Sequence, residues 1–390
     1  MATNQREIER KEKREKKQHK NTLIFWCVVL VIVLILLIMK LCEIDYTELK
    51  NQISAKISSS QSVSDDEKFP YVLESSEGVV ITELGNKISV LNDENISVVD
   101  SSDAKQIFID EHGFANPVMN VGGSYSVAFD QGSNKYRLDT QKGNVYKSTA
   151  DNTILCAAVS GSGTVAMALT SSEAKSEIAV LNKSLDEKLR YSVSAGYVTD
   201  IAVDDNANRI AFSAVYSENA TFYTTVYTMN VGDTSPKAEF TYPSTVLDIR
   251  FSGSKLFVIG TDFVSVISSM KNEEKVFEQG SINTVSFFYN SSGNLVLAYT
   301  EYTGQTDNKI ALIQPSGKVK TDITLGTDIK DISASSSEIS VLTDDSVIVY
   351  SISKGEVKNQ YSVDDSYSSI LQMSSKIFVK HRSYIELLTD

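Results

Sequence analysis

The sequence predicts an all-β protein, a seven- or eight-bladed β-propeller-like ectodomain preceded by one transmembrane α-helix. Three observations predict it. An uncharged apolar run lies near the N-terminus, the charges on its two sides differ in sign, and short apolar runs repeat from about residue 70 to the end. The first two observations predict a membrane anchor and its orientation, and the third predicts the fold.

The apolar run covers residues 22–39 and contains no charged side chain. At about 1.5 Å per residue a helix of this length spans roughly 27 Å, close to the hydrocarbon thickness of a bilayer. A cleaved signal peptide and a lipoprotein signal ending at Cys42 are the alternatives. The run is long for a signal peptide, and the residues before Cys42 are not small. We therefore expect an uncleaved transmembrane helix over residues 22–42.

The two flanks of this helix predict its orientation. Residues 1–20 carry eight Lys or Arg against four Glu, whereas Glu43, Asp45 and Glu48 follow the helix. The positive-inside rule predicts a basic cytoplasmic tail over residues 1–21 and an extracellular C-terminal domain in a single-pass cell-membrane protein. Residues 43–69 are Ser-rich and predict a stalk or linker, and residues 70–390 the propeller-like domain. The acidic body argues against nucleic-acid binding.

The body repeats a unit of short apolar runs and polar turns. Ile201, Ile249, Val285 and Ile332 occupy equivalent positions, 48, 36 and 47 residues apart. The runs are rich in β-branched and aromatic residues that alternate with polar ones, which is typical of strands. Four short strands in each unit of about 40 residues predict a β-propeller. A tandem of β-sandwiches is the alternative, but the repeated unit is too short for one.

The turns resemble those of a known group of propellers. Residues 138–145 follow the pattern Leu-Asp-x-x-x-Gly-x-Val, which is similar to turns of pyrroloquinoline-quinone-type propellers, a group of quinone dehydrogenases and envelope lipoprotein scaffolds. The whole plan resembles an uncharacterised family of single-span, membrane-anchored β-propeller-like (quinoprotein/WD40-like) proteins of anaerobic Gram-positive bacteria. Quinone-type blades usually end with a Trp, whereas Tyr146 or Tyr191 stands at that place here.

Few residues of the body suit catalysis or metal binding. It contains His112, His381 and Cys156, and none belongs to a cluster with metal-ligand spacing or a nucleophile elbow. We expect both histidines to be solvated loop or strand-end residues and Cys156 to be a buried small hydrophobe. The stacking Trp and the vicinal disulfide of quinone sites are absent from the body. We therefore predict no catalytic residue, no metal site and no small-molecule cofactor.

Three aspartates recur at one position of the repeat, namely Asp200, Asp248 and Asp331. A glycosidase needs a carboxylate pair that differs from the rest of the molecule. Because these residues follow the repeat, we expect them to have a turn or strand-start role in each blade.

Aromatic residues on two predicted loops are candidate partner contacts, since exposed tyrosines suit protein or glycan recognition. The alternative is that they alternate into the blade core. We predict a non-enzymatic, membrane-anchored binding or scaffold module whose unknown partner is a protein or cell-wall polymer outside the cell. A signalling or envelope-assembly subunit with a cytoplasmic tail contact, and a degenerate propeller hydrolase or dehydrogenase, are the alternatives. The candidate contacts are Tyr216, Phe222, Tyr223, Tyr227, Tyr299 and Tyr302.

Overall fold

The computed structural model describes residues 69–301 and 307–388. They form thirty-two strands in eight four-stranded antiparallel sheets. Among these residues we find no helix with the length and hydrophobicity needed to cross a bilayer. The predicted tail, transmembrane helix (residues 22–42) and stalk up to residue 68 lie outside the described residues, as does Tyr302.

Each sheet is one blade, and blades 1 to 7 are meanders of four consecutive strands. Blades 1 to 4 comprise β2 (Val80–Leu84), β3 (Lys87–Leu91), β4 (Asn95–Asp100) and β5 (Gln106–Glu111); β6 (Pro117–Gly122), β7 (Tyr125–Asp130), β8 (Lys135–Thr140) and β9 (Gly143–Thr149); β10 (Ile154–Val159), β11 (Val165–Leu169), β12 (Ser176–Leu181) and β13 (Glu187–Val193); and β14 (Tyr197–Val203), β15 (Arg209–Glu218), β16 (Thr221–Asn230) and β17 (Ala238–Tyr242).

Blades 5 to 8 complete the ring. They comprise β18 (Val246–Ser252), β19 (Lys255–Gly260), β20 (Val264–Ser268) and β21 (Asn272–Phe277); β22 (Asn283–Tyr289), β23 (Leu295–Thr300), β24 (Asn308–Ile313) and β25 (Val319–Leu325); β26 (Asp331–Ala334), β27 (Glu338–Leu342), β28 (Ser346–Ser351) and β29 (Val357–Ser362); and β30 (Ser369–Met373), β31 (Lys376–Lys380) and β32 (Tyr384–Leu388) with β1 (Tyr71–Val72).

The first strand of the described chain belongs to the last blade. In β1, Tyr71 pairs with Ile385 and Val72 pairs with Tyr384, both in β32. The sheet order β1–β32–β31–β30 makes β1 the outermost strand of blade 8. The ring is therefore closed by strands from both ends of the domain. The predicted propeller is confirmed, and the number of blades is eight.

The hydrophobic core lies between neighbouring blades. One cluster joins Ile178 and Val180 of blade 3 to Ile201, Ile210 and Phe212 of blade 4. Central strands such as β11 are buried along their whole length, whereas outer strands such as β13 alternate between exposed and buried residues. A strand that packs on both faces is apolar throughout, and an edge strand needs only one apolar face. This difference in burial between the central and outer strands of each blade accounts for the repeated pattern of apolar and polar residues in the sequence.

One predicted equivalence is wrong by two residues. The pairing of β14, β18 and β22 shifts at a bulge near the start of each strand, between Val198 and Asp200 in β14 and between Thr284 and Ser286 in β22. Val285 is the extra residue of the β22 bulge, and its side chain is exposed. Val285 therefore corresponds to Thr199 and Leu247, the extra residues of the equivalent bulges, and Phe287 corresponds to Ile201.

Candidate site in the central channel

The innermost strands of six blades line a cavity of about 780 Å³ in the central channel. It is bounded by β2, β6, β10, β14, β18 and β22 and by several of the hairpin turns that follow them. Phe288 packs against the core between blades 6 and 7 and also against the core of blades 8 and 1. The Phe288 side chain occupies the side of the channel next to blades 7 and 8. The cavity therefore lies off the centre of the propeller.

Two of the recurring aspartates link adjacent blades. Asp200 Oδ1 accepts the N–H of Ile201 at 2.8 Å, and its Oδ2 accepts the N–H of Ile249 in the next blade at 2.9 Å. Asp331 accepts the N–H groups of Ile332 and Ile370 in the same way, each at 2.9 Å. Each carboxylate thereby satisfies two backbone donors and holds two inner strands together. Asp331 starts β26 as predicted, whereas Asp200 is the fourth residue of β14, directly after its bulge.

Asp248 occupies the same repeat position but makes a different contact. Its Oδ2 accepts a hydrogen bond of 2.7 Å from the hydroxyl of Tyr289 in blade 6. The guanidinium of Arg250, two residues further along β18, stacks on the Tyr289 ring at 4.9 Å. All three side chains line the cavity. The repeat is therefore broken at blade 5, and the break faces the cavity.

Burial and mutual proximity perturb the acid groups at this point. Desolvation and the neighbouring Asp248 hold the pKa of Asp200 well above its ordinary value. Desolvation also raises the pKa of Asp248, although the Tyr289 hydroxyl and the Arg250 charge oppose that shift. Desolvation and the adjacent Asp248 raise the pKa of Tyr289, so its hydroxyl stays protonated and donates to the carboxylate. Carboxyl groups with raised pKa values are common at binding and catalytic sites.

Three residues of the cavity wall were not predicted from the sequence, namely Arg250, Tyr289 and Glu83 in β2. A signal was present in the aligned repeats. Blades 4 and 7 have Ala202 and Ser333 where blade 5 has Arg250. A long cationic side chain at a position otherwise occupied by small residues marks this blade as different.

The candidate contact residues are divided between surface and core. The hairpin of β15 and β16 is the longest of the described part, with ten residues in each strand, and it ends in a tight turn at Asn219 and Ala220. Phe222 is 67% exposed beside this turn, and the rings of Tyr216 and Tyr223 stack at 5.5 Å. This hairpin therefore presents aromatic groups to solvent.

The other two described candidates pack inward. Tyr227 stacks on Phe212 at 4.9 Å against the core between blades 3 and 4. Tyr299 is 3% exposed and packs against Phe277 at 5.0 Å. Burial raises the pKa of Tyr299 to about 12. The structure thus places Tyr299 in the core, so it does not belong to an exposed contact surface.

His112 directly follows β5 as a strand-end residue, but it is buried, so the expected solvation is wrong. Its Nε2 lies 2.9 Å from the carbonyl oxygen of Asn92, and its Nδ1 accepts the N–H of Phe114 at 3.0 Å. An Nδ1 that accepts a hydrogen bond carries no proton, so Nε2 is the donor. Both ring nitrogens serve to hold the loop. His381 stacks on Tyr384 at 4.2 Å, next to the start of β32.

Other reactive or charged groups also have structural partners. Cys156 is buried in β10, as expected, and desolvation raises the pKa of its thiol well above the ordinary value. The fully buried Arg137 donates to both carboxylate oxygens of Asp139 at 2.7 Å and pairs with Asp110 of blade 1 at 2.9 Å. Within the described ranges, no three His, Cys, Asp or Glu side chains are grouped to hold a metal ion.

Solved structures with the same fold have very different sequences. The chain is similar to the C-terminal WD40 domain of Sif2, with 11% identity, 83% of this chain and 99% of that chain covered and a TM-score of 0.58. It is similar to BamB from Moraxella catarrhalis, with 10% identity, 83% and 99% covered and a TM-score of 0.53. It is also similar to apo AztD from Citrobacter koseri, with 13% identity, 76% and 88% covered and a TM-score of 0.54. These likenesses show the propeller fold alone.

At the level of sequence, one family matches over most of the chain. Residues 58–387 match the model of a family of unknown function (DUF5711). Among curated proteins none matches. The match includes all eight blades and the final part of the predicted stalk.

Proposed function

The chain belongs to this family of unknown function (DUF5711), and on that premise we propose that it is a non-enzymatic binding or scaffold module. A single helix over residues 22–42 anchors it, with the N-terminus in the cytoplasm and the propeller outside the cell. The proposed partner is a protein or a cell-wall polymer.

The observation that carries this proposal is the β15–β16 hairpin. Both strands are ten residues long, whereas the other described strands have at most seven. β14 pairs with β15 only as far as Val215, and β17 pairs with β16 only as far as Thr224, so the hairpin continues beyond its own sheet. Its end presents Phe222 and the stacked pair Tyr216 and Tyr223. Rigid aromatic groups on a fixed support are typical of binding surfaces.

The closed ring supports a role as a scaffold. Strands from both ends of the domain pair in blade 8, and the aspartates of blades 4 and 7 link neighbouring inner strands. Such a ring holds a projecting hairpin at a defined position. The fold is shared with BamB and AztD, although their sequence identities of 10% and 13% carry no ligand over to this chain.

The contact can be tested by photo-crosslinking the full-length chain in intact cells. A photoreactive residue at Phe222 is expected to give a discrete adduct, whereas the same residue at Val357, 55% exposed in blade 7, is expected to give none. Digestion with a protease or with a cell-wall hydrolase then distinguishes a protein from a polymer. Equal adducts at both positions, or none at Phe222, would overturn the hairpin as the contact.

Anchoring and orientation have an independent test. Protease added to intact cells should degrade residues 70–390, and the chain should fractionate with membranes. A protected propeller or a chain free in solution would contradict the extracellular placement.

The basic tail supports a second function, a signalling or assembly subunit with a cytoplasmic contact. Deleting residues 2–20 should then abolish partner recovery but leave membrane insertion intact.

A further inference from the structure

Arg250 presents an unpaired cationic group to the central cavity. Its side chain is exposed and lines the cavity, and among the described residues it forms no hydrogen bond or ion pair. The Tyr289 ring, 4.9 Å away, supports the guanidinium on one face. The Tyr289 hydroxyl is itself fixed by Asp248 at 2.7 Å. The guanidinium is therefore held in place while its donors stay available, and such a planar group binds carboxylates through two parallel hydrogen bonds.

Glu83 presents the opposite charge to the same cavity. It lies in β2 and lines the cavity, and no hydrogen bond or ion pair is formed by its carboxylate within the part of the chain that is described. Burial without a partner raises its pKa. A cationic group brought by a ligand would stabilise the ionised carboxylate.

The two residues lie on opposite walls of the cavity. Glu83 belongs to blade 1 and Arg250 to blade 5, so three blades separate them on either side of the ring. Both inner strands end in a two-residue turn, after Leu84 and after Ser252. Glu83 is the second residue before its turn, and Arg250 is the third residue before its turn. Their positions along the two strands therefore differ by one residue, which is about 3.4 Å.

The remaining charges of the cavity wall are less available. Both oxygens of Asp200 accept backbone N–H groups, and Asp248 accepts the Tyr289 hydroxyl. Asp205 lies in the exposed turn between β14 and β15, at the end of the inner strand. Arg250 is thus the one cationic side chain among the described cavity-lining residues, and Glu83 on the opposite wall is the inner-strand carboxylate that forms no hydrogen bond there. The cavity volume of about 780 Å³ falls in the range of small-molecule sites.

We propose that this cavity binds a dipolar ligand, a short peptide with free termini, whose carboxylate pairs with Arg250 and whose ammonium group pairs with Glu83. The proposal concerns the channel and is independent of the partner contact at the hairpin. A macromolecule would not fit the cavity, and a purely anionic ligand would face the unpaired Glu83.

Calorimetric titration of the full-length chain in detergent tests the proposal with glycine peptides from diglycine to pentaglycine. At least one unblocked peptide is expected to bind. N-acetylation and C-amidation of that peptide should each weaken binding about tenfold or more, since each removes one charged hydrogen-bonded pair. Failure of every unblocked peptide to bind, or equal binding of the doubly blocked form, would overturn the proposal.

Substitutions at Glu83 and Arg250 test whether these residues bind the peptide. Glu83→Gln and Arg250→Gln should each weaken binding about tenfold or more, whereas Glu77→Gln and Arg382→Gln, at exposed positions that do not line the cavity, should leave it unchanged. The double exchange Glu83→Arg and Arg250→Glu should restore binding, because the peptide can reverse its direction. Arg250→Lys keeps the charge without the planar group and should bind with intermediate strength. Wild-type binding by both single Gln variants would contradict the assignment.

Discussion

The Tyr289 hydroxyl donates a hydrogen bond of 2.7 Å to Oδ2 of Asp248 and thereby joins blade 6 to blade 5. In blade 4 the equivalent Asp200 reaches instead to a backbone N–H of the next blade. The two arrangements serve the same mechanical purpose, since both connect neighbouring inner strands. Only the first orients an aromatic ring under Arg250. The departure from the repeat therefore combines an interblade link with a support for a cavity-facing charge.

Replacing Tyr289 by Phe should lower the free energy of unfolding by about 1–3 kcal/mol, the usual effect of removing a hydrogen bond to a charged group. The hydroxyl also holds down the pKa of Asp248, so its loss should raise that pKa further. Urea denaturation at neutral pH measures the change. Tyr223→Phe, on the β15–β16 hairpin, is the matched control, and an equal effect of both variants would contradict the role of the bond.

Asp331 should make the domain less stable as the pH rises. Burial raises its pKa to about 6, against two backbone N–H bonds that favour the ionised form. The pKa of Asp331 is higher in the folded state than in the unfolded state. At pH values between these two pKa values, the folded state therefore binds more protons than the unfolded state. This contribution to stability is full below about pH 4 and is lost as pH rises through about 6, with a magnitude of about 2–3 kcal/mol. Asp200, Asp248 and Glu83 shift in the same direction.

Denaturation curves of the wild type and of Asp331→Asn between pH 4 and pH 7 check this dependence. The variant should show a smaller loss of stability over that interval, because one of the groups that releases a proton is gone. Asp328→Asn, an exposed position three residues earlier, controls for the removal of a carboxylate. A wild type that becomes more stable over the whole interval would show that the sign is wrong.

The blade architecture was predictable from the sequence because alternation and turn residues are local properties of the chain. The strand that completes blade 8 was not predictable, because β1 has two residues and pairs with the far end of the domain. The repeat position of Val285 was not predictable for a related reason. Its alternation looks regular in sequence, and only the pairing of β22 with β23 reveals a bulge.

The candidate site was less predictable than the fold. The three recurring aspartates look identical in sequence, and the contact of Asp248 with Tyr289 depends on the neighbouring blade. Phe222 and Tyr299 were equally plausible surface residues, yet one is 67% and the other 3% exposed. The face of a strand to which a side chain points follows from register, which a degenerate repeat does not define.

His112 should contribute to stability through both ring nitrogens. Replacement by Ala leaves the carbonyl of Asn92 and the N–H of Phe114 without their partner, at a cost of about 1–3 kcal/mol. The equivalent change His381→Ala removes a ring at the edge of a loop, where it lies against Tyr384, and should change stability by less than about 1 kcal/mol. Thermal denaturation of the two variants compares them, and a larger effect at His381 would contradict the assignment.

Gly122 should tolerate no side chain, because β6 passes close to the end of β10. A Cβ at Gly122 would lie 2.0 Å from the carbonyl oxygen of Val159 and 2.9 Å from the carbonyl carbon of Ser160. These are backbone atoms, so no rotamer change relieves the overlap. Gly122→Ala should lower the free energy of unfolding by about 2 kcal/mol or more.

Gly326→Ala is the matched control for this effect, since a Cβ there meets nothing within 4 Å and the residue has an ordinary backbone conformation. This variant should be neutral or gain up to about 1 kcal/mol, because alanine restricts the unfolded chain. Urea midpoints at equal m-values measure both changes. Equal urea midpoints for Gly122→Ala and Gly326→Ala would mean that β6 and β10 can move apart without a loss in the free energy of unfolding. That result would contradict a propeller held together by tight contacts between blades.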